Sequence, residues 1–414
     1  MLGKIGILVI GDELLVGQTL DTNAFWLGQQ FSEIGQRIAI KTTVSDTKEA
    51  ILGGLEYLQG QCELVIATGG LGPTKDDITK RVLCDYFGDS LVLDSEIEQK
   101  IRDAFEIRGV TFLDVHKQQA MVPLNGEVLP NTRGTASGMW FSKKGLHLIS
   151  LPGVPAEMRG LITDEVIPRI QAKWGMGAYF HHTILTAGIG ESSLAHQIEH
   201  WEDHVRMSGF DLAYLPRKGS VKLRLGISLD NHDLSREKVL QEMSELKALI
   251  PEWYVGEGGF AANEILVKRL IQRGETISVA ESCTGGGFMQ SITEIPGSSK
   301  VFKGGVVVYS NDLKSRALGV GSAVLEQLGA VSGEVAEAMA KGLSNNYIAD
   351  IQVSITGIAG PESDDTQKPV GLVYFCAVQG DVSTIWEKKF PGSRSEVRSR
   401  AIQHLTAELI RKFL

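Results

Sequence analysis

Apolar residues in this chain follow two rhythms. In short runs such as 4–10 and 64–67 nearly every position is apolar, whereas longer stretches return an apolar residue every three or four positions. The first rhythm suits a strand buried on both faces, the second an amphipathic helix. The first part reads as strand 4–10, helix 22–34 (Phe25, Leu27, Phe31 and Ile34 on one side), strand 37–44, helix 48–58 and strand 64–67. Strands alternating with helices predict a three-layer α/β domain with a parallel sheet. After residue 171 the pattern changes. Strand 181–186, helix 191–200, strand 220–228 and helix 234–249 predict a small α+β unit, followed by a crossover at 251–259. Helix 261–272, strands 275–279 and 305–309, helix 332–343, strands 351–355 and 370–378, and helix 395–413 then predict a second α/β domain, its sheet at least partly parallel. The expected domains are 1–172, 178–252 and 258–414.

Composition narrows the function classes. A chain of 414 residues suits two to three domains. The formal net charge of −9 offers no basic footprint for nucleic acid. Cys62, Cys84, Cys283 and Cys376 are scattered without a C-x-x-C pair, which favours free thiols over a disulfide frame or a zinc site. The apolar start runs directly into Gly11-Asp12-Glu13 and reads as a first strand, not a signal peptide. No apolar run approaches the roughly 20 residues needed to span a bilayer. A cytoplasmic protein without membrane contact is expected.

Candidate chemistry gathers where strands end. Strand 275–279 runs into Glu281-Ser282-Cys283-Thr284, then three glycines, then a helical run. Such a turn presents a nucleophile at a sheet edge beside free helix N–H groups. The plainer reading is a capped strand–helix connection. Hydrolysis through such a nucleophile needs a base, an oxyanion donor and an acid for the leaving group. Ser282 is the candidate nucleophile and Cys283 its rival, the thiol being intrinsically stronger. After His232 the only histidine is His404, set in the apolar stripe of the last helix and read as structural. That shortage points to a Ser–Lys or Ser–Tyr arrangement, with Tyr309 and Lys314 just past a neighbouring strand end. Either would need a pKa well below about 10, through burial or a nearby cation.

Further polar groups surround these. Thr284, Gly285 and Gly286 are candidates for oxyanion or phosphate contacts, and Glu281 for orienting the turn or contacting substrate. Ser354, Thr356, Gly357 and Gly360 form a second glycine-rich strand end able to hold ribose or phosphate, and Arg394 and Arg398 can meet a phosphate. Asp364 and Asp365 read as a loop tip.

Near the start of the chain, Gly11–17 and Thr68-Gly69-Gly70-Leu71-Gly72-Pro73-Thr74 also lie beyond strand ends, where α/β sheets bind ligands. Thr68, Gly69, Gly70, Gly72 and Thr74 can cradle a phosphate. Asp12, Glu13, Asp76 and Asp77 beside it suit a divalent ion bridging a pyrophosphate, or serve as helix caps and a solvated turn. In the middle unit, His196, His200 and His204 share a face if one helix runs through Trp201, while His181 and His182 precede them. Ordinary surface histidines explain the group more simply than a metal site.

Four ordered matches resemble the C-terminal domain of the CinA family, the nicotinamide mononucleotide (NMN) amidase group: Ala280 to Gly286, Gly304 to Ser310 with Lys314, Val331 to Glu334, and Ser354 to Pro361. The two N-terminal loops, with Leu151-Pro152-Gly153-Val154-Pro155-Ala156-Glu157, resemble the MoaB/MogA-like molybdopterin-binding fold in its CinA variant. The middle unit resembles the family's KH-like domain but lacks the G-x-x-G loop that clamps RNA, so it reads as a spacer or dimerisation domain. The resemblance implies deamidation of NMN to nicotinate mononucleotide and ammonia at Ser282, with Tyr309 and Lys314 managing protons and no cofactor. It also implies pterin-phosphate binding or an ADP-ribose pyrophosphatase dependent on a divalent metal in the first domain. A homodimer acting on small nucleotides without direct nucleic-acid contact is expected. The alternative is a non-catalytic nucleotide- or pterin-binding protein of competence or DNA-damage responses.

Overall fold

The computed structural model describes residues 2–74, 76–217, 219–229, 235–363 and 368–414; Asp364 and Asp365 lie outside them. The chain divides into two compact units, Met1–Phe180 with Ser228–Asp230, and His181–Ile227 with Asn231–Leu414.

The first unit holds strands β1 (Ile5–Ile10), β2 (Ile38–Val44), β3 (Leu64–Thr68), β4 (Leu91–Leu93), β5 (Met121–Pro123), β6 (Glu127–Leu129), β7 (Gly138–Lys143) and β8 (Leu146–Leu151). Its main sheet has the order β2-β1-β3-β8-β7-β6. Along β1, Ile5, Ile7 and Val9 enter one core with Ala24, Leu27 and Phe31, while Leu8 and Ile10 enter another with Ile51, Leu55 and Leu58. Burial on both faces explains the unbroken apolar run and makes the three layers. Phe25, placed on the apolar side by its spacing, points outward at 58% exposure, and Ala24 takes the core position. The sheet is also not parallel throughout: β7 runs antiparallel to β8, and β6 to β7. The link Lys144-Gly145 takes positive φ at both residues (49° and 85°), a two-residue reversal that can join only antiparallel neighbours.

In the second unit, β9 (Tyr179–Ala187), β10 (Asp211–Arg217), β11 (Ser220–Ser228) and β12 (Tyr254–Glu257) form a sheet in the order β10-β11-β9-β12. The helix expected over 191–200 is two helices, Glu191–Gln197 and Glu199–Met207, broken at Ile198. The break parts the histidine row. His204 contacts Glu242 at 3.1 Å and His182 contacts Glu257 at 2.7 Å. Among the described residues no three His, Cys, Asp or Glu side chains cluster as metal ligands.

The last sheet contains β13 (Ile277–Glu281), β14 (Phe302–Val307), β15 (Ile351–Gly357), β16 (Leu372–Gln379) and β17 (Val382–Lys389), in the order β14-β13-β15-β16-β17. The first three are parallel and the last two antiparallel. Central β13 sends Ile277 and Val279 to a core with Phe288, Val397 and Leu405, and Ala280 to the opposite one with Val335 and Met339. Its carboxyl end is thereby held from both faces. Among the described residues no helix is long and apolar enough to cross a membrane.

Candidate active site

Where β13 ends, its ladder persists one residue further: the Ser282 N–H donates to the Ile355 carbonyl at 2.9 Å. The chain then reverses through Gly285 (φ 61°) and Gly286 (φ 91°), conformations in which a Cβ is strained. Glu281 is fully buried and turns back on this loop. Its carboxylate accepts from the N–H groups of Gly286, Phe288 and Met289 at 3.0, 3.2 and 2.7 Å, capping helix Gly287–Thr293. Glu281 is therefore a positioning residue, not the substrate contact anticipated, because its oxygens are spent on its own turn. Glu281→Gln should cost about 2 kcal/mol or more, since charge-assisted bonds weaken and an amide N–H₂ faces other donors. Chemical denaturation would measure this.

Lys314 meets Ser282 from the other side. Helix Asn311–Leu318, capped by the Ser310 hydroxyl, places Lys314 in the interior at 1% exposure. Its Nζ lies 3.2 Å from Ser282 Oγ and 3.0 Å from the Val308 carbonyl oxygen. No carboxylate among the described residues lies within ion-pair distance of this amine. Burial pulls its pKa below the ordinary lysine value. Removing an ammonium from water without a counter-ion favours the neutral amine, which can accept a proton. A neutral lysine on a serine hydroxyl is the core of a nucleophilic site that needs no imidazole.

Cys283 is unsuited to the role its neighbour can play. Its side chain belongs to the apolar core. Burial first, and then the nearby Glu281 charge, push its thiol up to about 12, leaving almost no thiolate at neutral pH. His404 stacks near Phe375 and Phe390, with centroids 5.5 and 5.6 Å away. Burial draws its pKa down to about 4.

Tyr309 is brought to the rim and not to the serine. It is 56% exposed, and its hydroxyl accepts from Arg394 Nη2 at 2.5 Å. Arg394 Nη1 donates to the Gly360 carbonyl at 2.8 Å, and Arg398 Nη2 to the Thr284 carbonyl at 2.7 Å. From the start of helix Arg394–Phe413, Arg398 thus holds the turn that carries Ser282, and Arg394 joins Tyr309 to the Gly360 strand end. Ser354 and Thr356, expected to hold ribose or phosphate, are fully buried. Their hydroxyls donate to the Ala336 and Ala330 carbonyls at 2.5 and 2.7 Å, fastening β15 to the layer behind it. Neither reaches a ligand. Of the turn amides, Gly285 donates to the Ser282 carbonyl and Gly286 to Glu281. The Thr284 N–H is without a protein acceptor among the described residues, but the residue is fully buried, so an oxyanion reaches it only if the turn opens.

The N-terminal loops sit together at the carboxyl ends of β1, β2 and β3. Gly69 (φ 117°) passes so close to β1 that a Cβ would lie 2.1 Å from the Ile10 carbonyl oxygen. Thr68 is buried, its hydroxyl donating to the Pro152 carbonyl at 3.1 Å. Asp77 binds the Thr74 N–H at 2.9 Å and the Thr74 hydroxyl at 2.5 Å, so it shapes its own loop. A Cβ on Gly72 would strike the Asp77 carboxylate at 2.6 Å.

Sequence reasoning missed Asp46. It accepts from the Asp12 N–H at 3.0 Å. Burial, and then the charges of Asp12, Glu13 and Asp77, raise its pKa. Its signal was available: Asp46 lies just past the end of β2. Asp76 is exposed. These carboxylates do not form an all-protein metal cage. They do fit the one- or two-carboxylate share that a magnesium-type ion takes when substrate phosphates supply its remaining ligands.

Comparison with known proteins places these sites in one lineage. The chain matches the family models "Probable molybdopterin binding domain" over residues 6–172, "Damage-inducible protein CinA KH domain" over 181–256 and "CinA C-terminal domain" over 260–414. It is 39% identical over 417 residues to a CinA-like protein of Flavobacterium psychrophilum, covering 99% of both chains. The chain belongs to the CinA family. A CinA-like protein of Gemmatimonas aurantiaca is 38% identical, covering 99% of this chain and 96% of that relative. The crystal structure of competence/damage inducible protein CihA from Agrobacterium tumefaciens is 38% identical, covering 36% of this chain and 95% of that one with a TM-score of 0.35. The Ser282–Lys314 pair thus lies within the CinA C-terminal domain, and the Asp12–Asp46 crevice within the molybdopterin-binding-type domain.

Proposed function

We propose that the C-terminal domain is a serine amidohydrolase that converts NMN to nicotinate mononucleotide and ammonia, a step of pyridine nucleotide salvage. The observation carrying this reading is the buried, unpaired Lys314 amine 3.2 Å from Ser282 Oγ. Neutral Lys314 takes the serine proton as Oγ attacks the carboxamide carbon. Once the turn opens, the Thr284 N–H is the available donor for the resulting oxyanion. Lys314 returns its proton to the departing ammonia, and water then hydrolyses the acyl-enzyme by the same route. Arg394 and Arg398 suit the substrate phosphate. Tyr309 then acts at the rim, through its bond to Arg394.

The acidic crevice supports a second activity in the N-terminal domain, hydrolysis of ADP-ribose with a divalent metal. Asp12 and Asp46 would hold the ion, with Glu13 nearby and Asp77 shaping the loop beside it, and Gly69, Gly70 and Gly72 would admit the pyrophosphate. The ion would neutralise phosphate charge and acidify a water. Chelation by EDTA should abolish AMP formation from ADP-ribose while ammonia release from NMN continues. No AMP with any divalent ion would reject this activity. Tight NMN binding without turnover would favour a non-catalytic nucleotide-binding role instead.

A further inference from the structure

Within the second unit, a cavity of about 460 Å³ opens between the β10–β11 hairpin and helices Gly287–Thr293 and Arg394–Phe413. Neither Ser282, Lys314 nor Tyr309 lines it. The hairpin contributes Arg217 and Lys222, and the long helix contributes Arg398. Leu215 pairs with Lys222 and Arg217 with Ser220, so Arg217 and Lys222 are diagonal neighbours on one face. None of the three cations has an ion-pair partner among the described residues. The only carboxylate on the lining, Glu294, stands on the helix opposite the hairpin. Burial, then the neighbouring Arg217 charge, lowers the Lys222 pKa against the opposing Glu264 charge, and the Lys222 ammonium donates to the Gly259 carbonyl. Lys222 is half-buried and Arg217 exposed, and holding these like charges together costs free energy that a bound anion would recover. Leu185, Ala187 and Ile402 supply an apolar wall, and Arg398 Nε and Gln403 Oε1 are buried there without a hydrogen-bond partner.

We propose that this cavity is a second nucleotide site, taking the phosphate of a mononucleotide on Arg217 and Lys222 and its base against the apolar wall. The volume lies within the few-hundred-Å³ range of small-ligand sites, and the pairing of cations with an apolar wall and one unmet amide oxygen suits such a ligand. Arg398 links the cavity to the catalytic turn, because its Nη2 holds the Thr284 carbonyl. The KH-like domain would then complete a ligand site, a role beyond the spacer its missing G-x-x-G loop suggests.

Hydrogen exchange read by mass spectrometry on the full chain tests this, with AMP as probe and inorganic phosphate as control. AMP should slow exchange in the hairpin around Arg217 and Lys222 and in the helix around Arg398. R217A/K222A should remove that protection and weaken AMP binding at this site at least tenfold, while S282A keeps both. R217Q/K222Q provides the same test if the alanine variant folds poorly. Absent protection at millimolar AMP, or protection that survives both double variants, overturns the proposal. Equal protection by inorganic phosphate would overturn the assignment to a nucleotide. Binding is read without turnover, so the result stands apart from whether the Ser282 site is an amidase.

Discussion

Lys314→Met is expected to abolish ammonia release from NMN, by about a thousandfold or more, while leaving the protein at least as stable as before. Activity falls because no other base among the described residues reaches Ser282 Oγ; Tyr309 is held at the rim by Arg394 and His404 is packed against two aromatic rings. Stability is kept because the lysine occupies an interior position without a carboxylate partner. The sign follows from its titration. Burial depresses the pKa in the fold, so the unfolded chain binds the proton more readily. The resulting cost is fully present below the folded pKa. It fades as pH rises towards the ordinary lysine value of about 10.4. The stability gained by methionine should therefore be largest near neutral pH and shrink in alkali. Thermal unfolding at several pH values would reveal it, and a large loss of stability at neutral pH would mean that the Val308 hydrogen bond outweighs the buried charge.

Ser282→Ala should be equally severe, whereas Cys283→Ser should leave ammonia release within about an order of magnitude of the parent. The adjacent side chains have opposite surroundings: Ser282 touches an amine, and Cys283 enters the core. Iodoacetamide should consequently spare Cys283 in the folded protein and label it only after denaturation. Inactivation that tracks Cys283 labelling would transfer the nucleophilic role to the thiol.

The backbone arrangement was legible because both α/β sheets bury their central strands on two faces, and the runs at β1, β3 and β13 have no other good use. Local pattern could not foretell the reversal at Lys144-Gly145, nor β17, whose exposed, alternating residues carry little apolar signal. At the site, Ser282 and Lys314 were readable as residue types at strand ends. Their 3.2 Å meeting depends on β14 lying beside β13, a long-range fact. The errors share one cause. Glu281, Ser354 and Thr356 are polar residues at a sheet edge, and a sequence does not say whether such a group faces a ligand or a backbone partner behind it. Asp46 was passed over for the converse reason: its importance comes from Asp12, Glu13 and Asp77, which reach it only after folding.

The pH dependence of kcat/KM for ammonia release from NMN tests the Ser282–Lys314 pair most directly. The account predicts a rate that climbs with pH and levels off below the ordinary lysine range, with Ser282→Ala inactive throughout. A limb that rises only at or above pH 10, or one that persists after Lys314→Met, would contradict it.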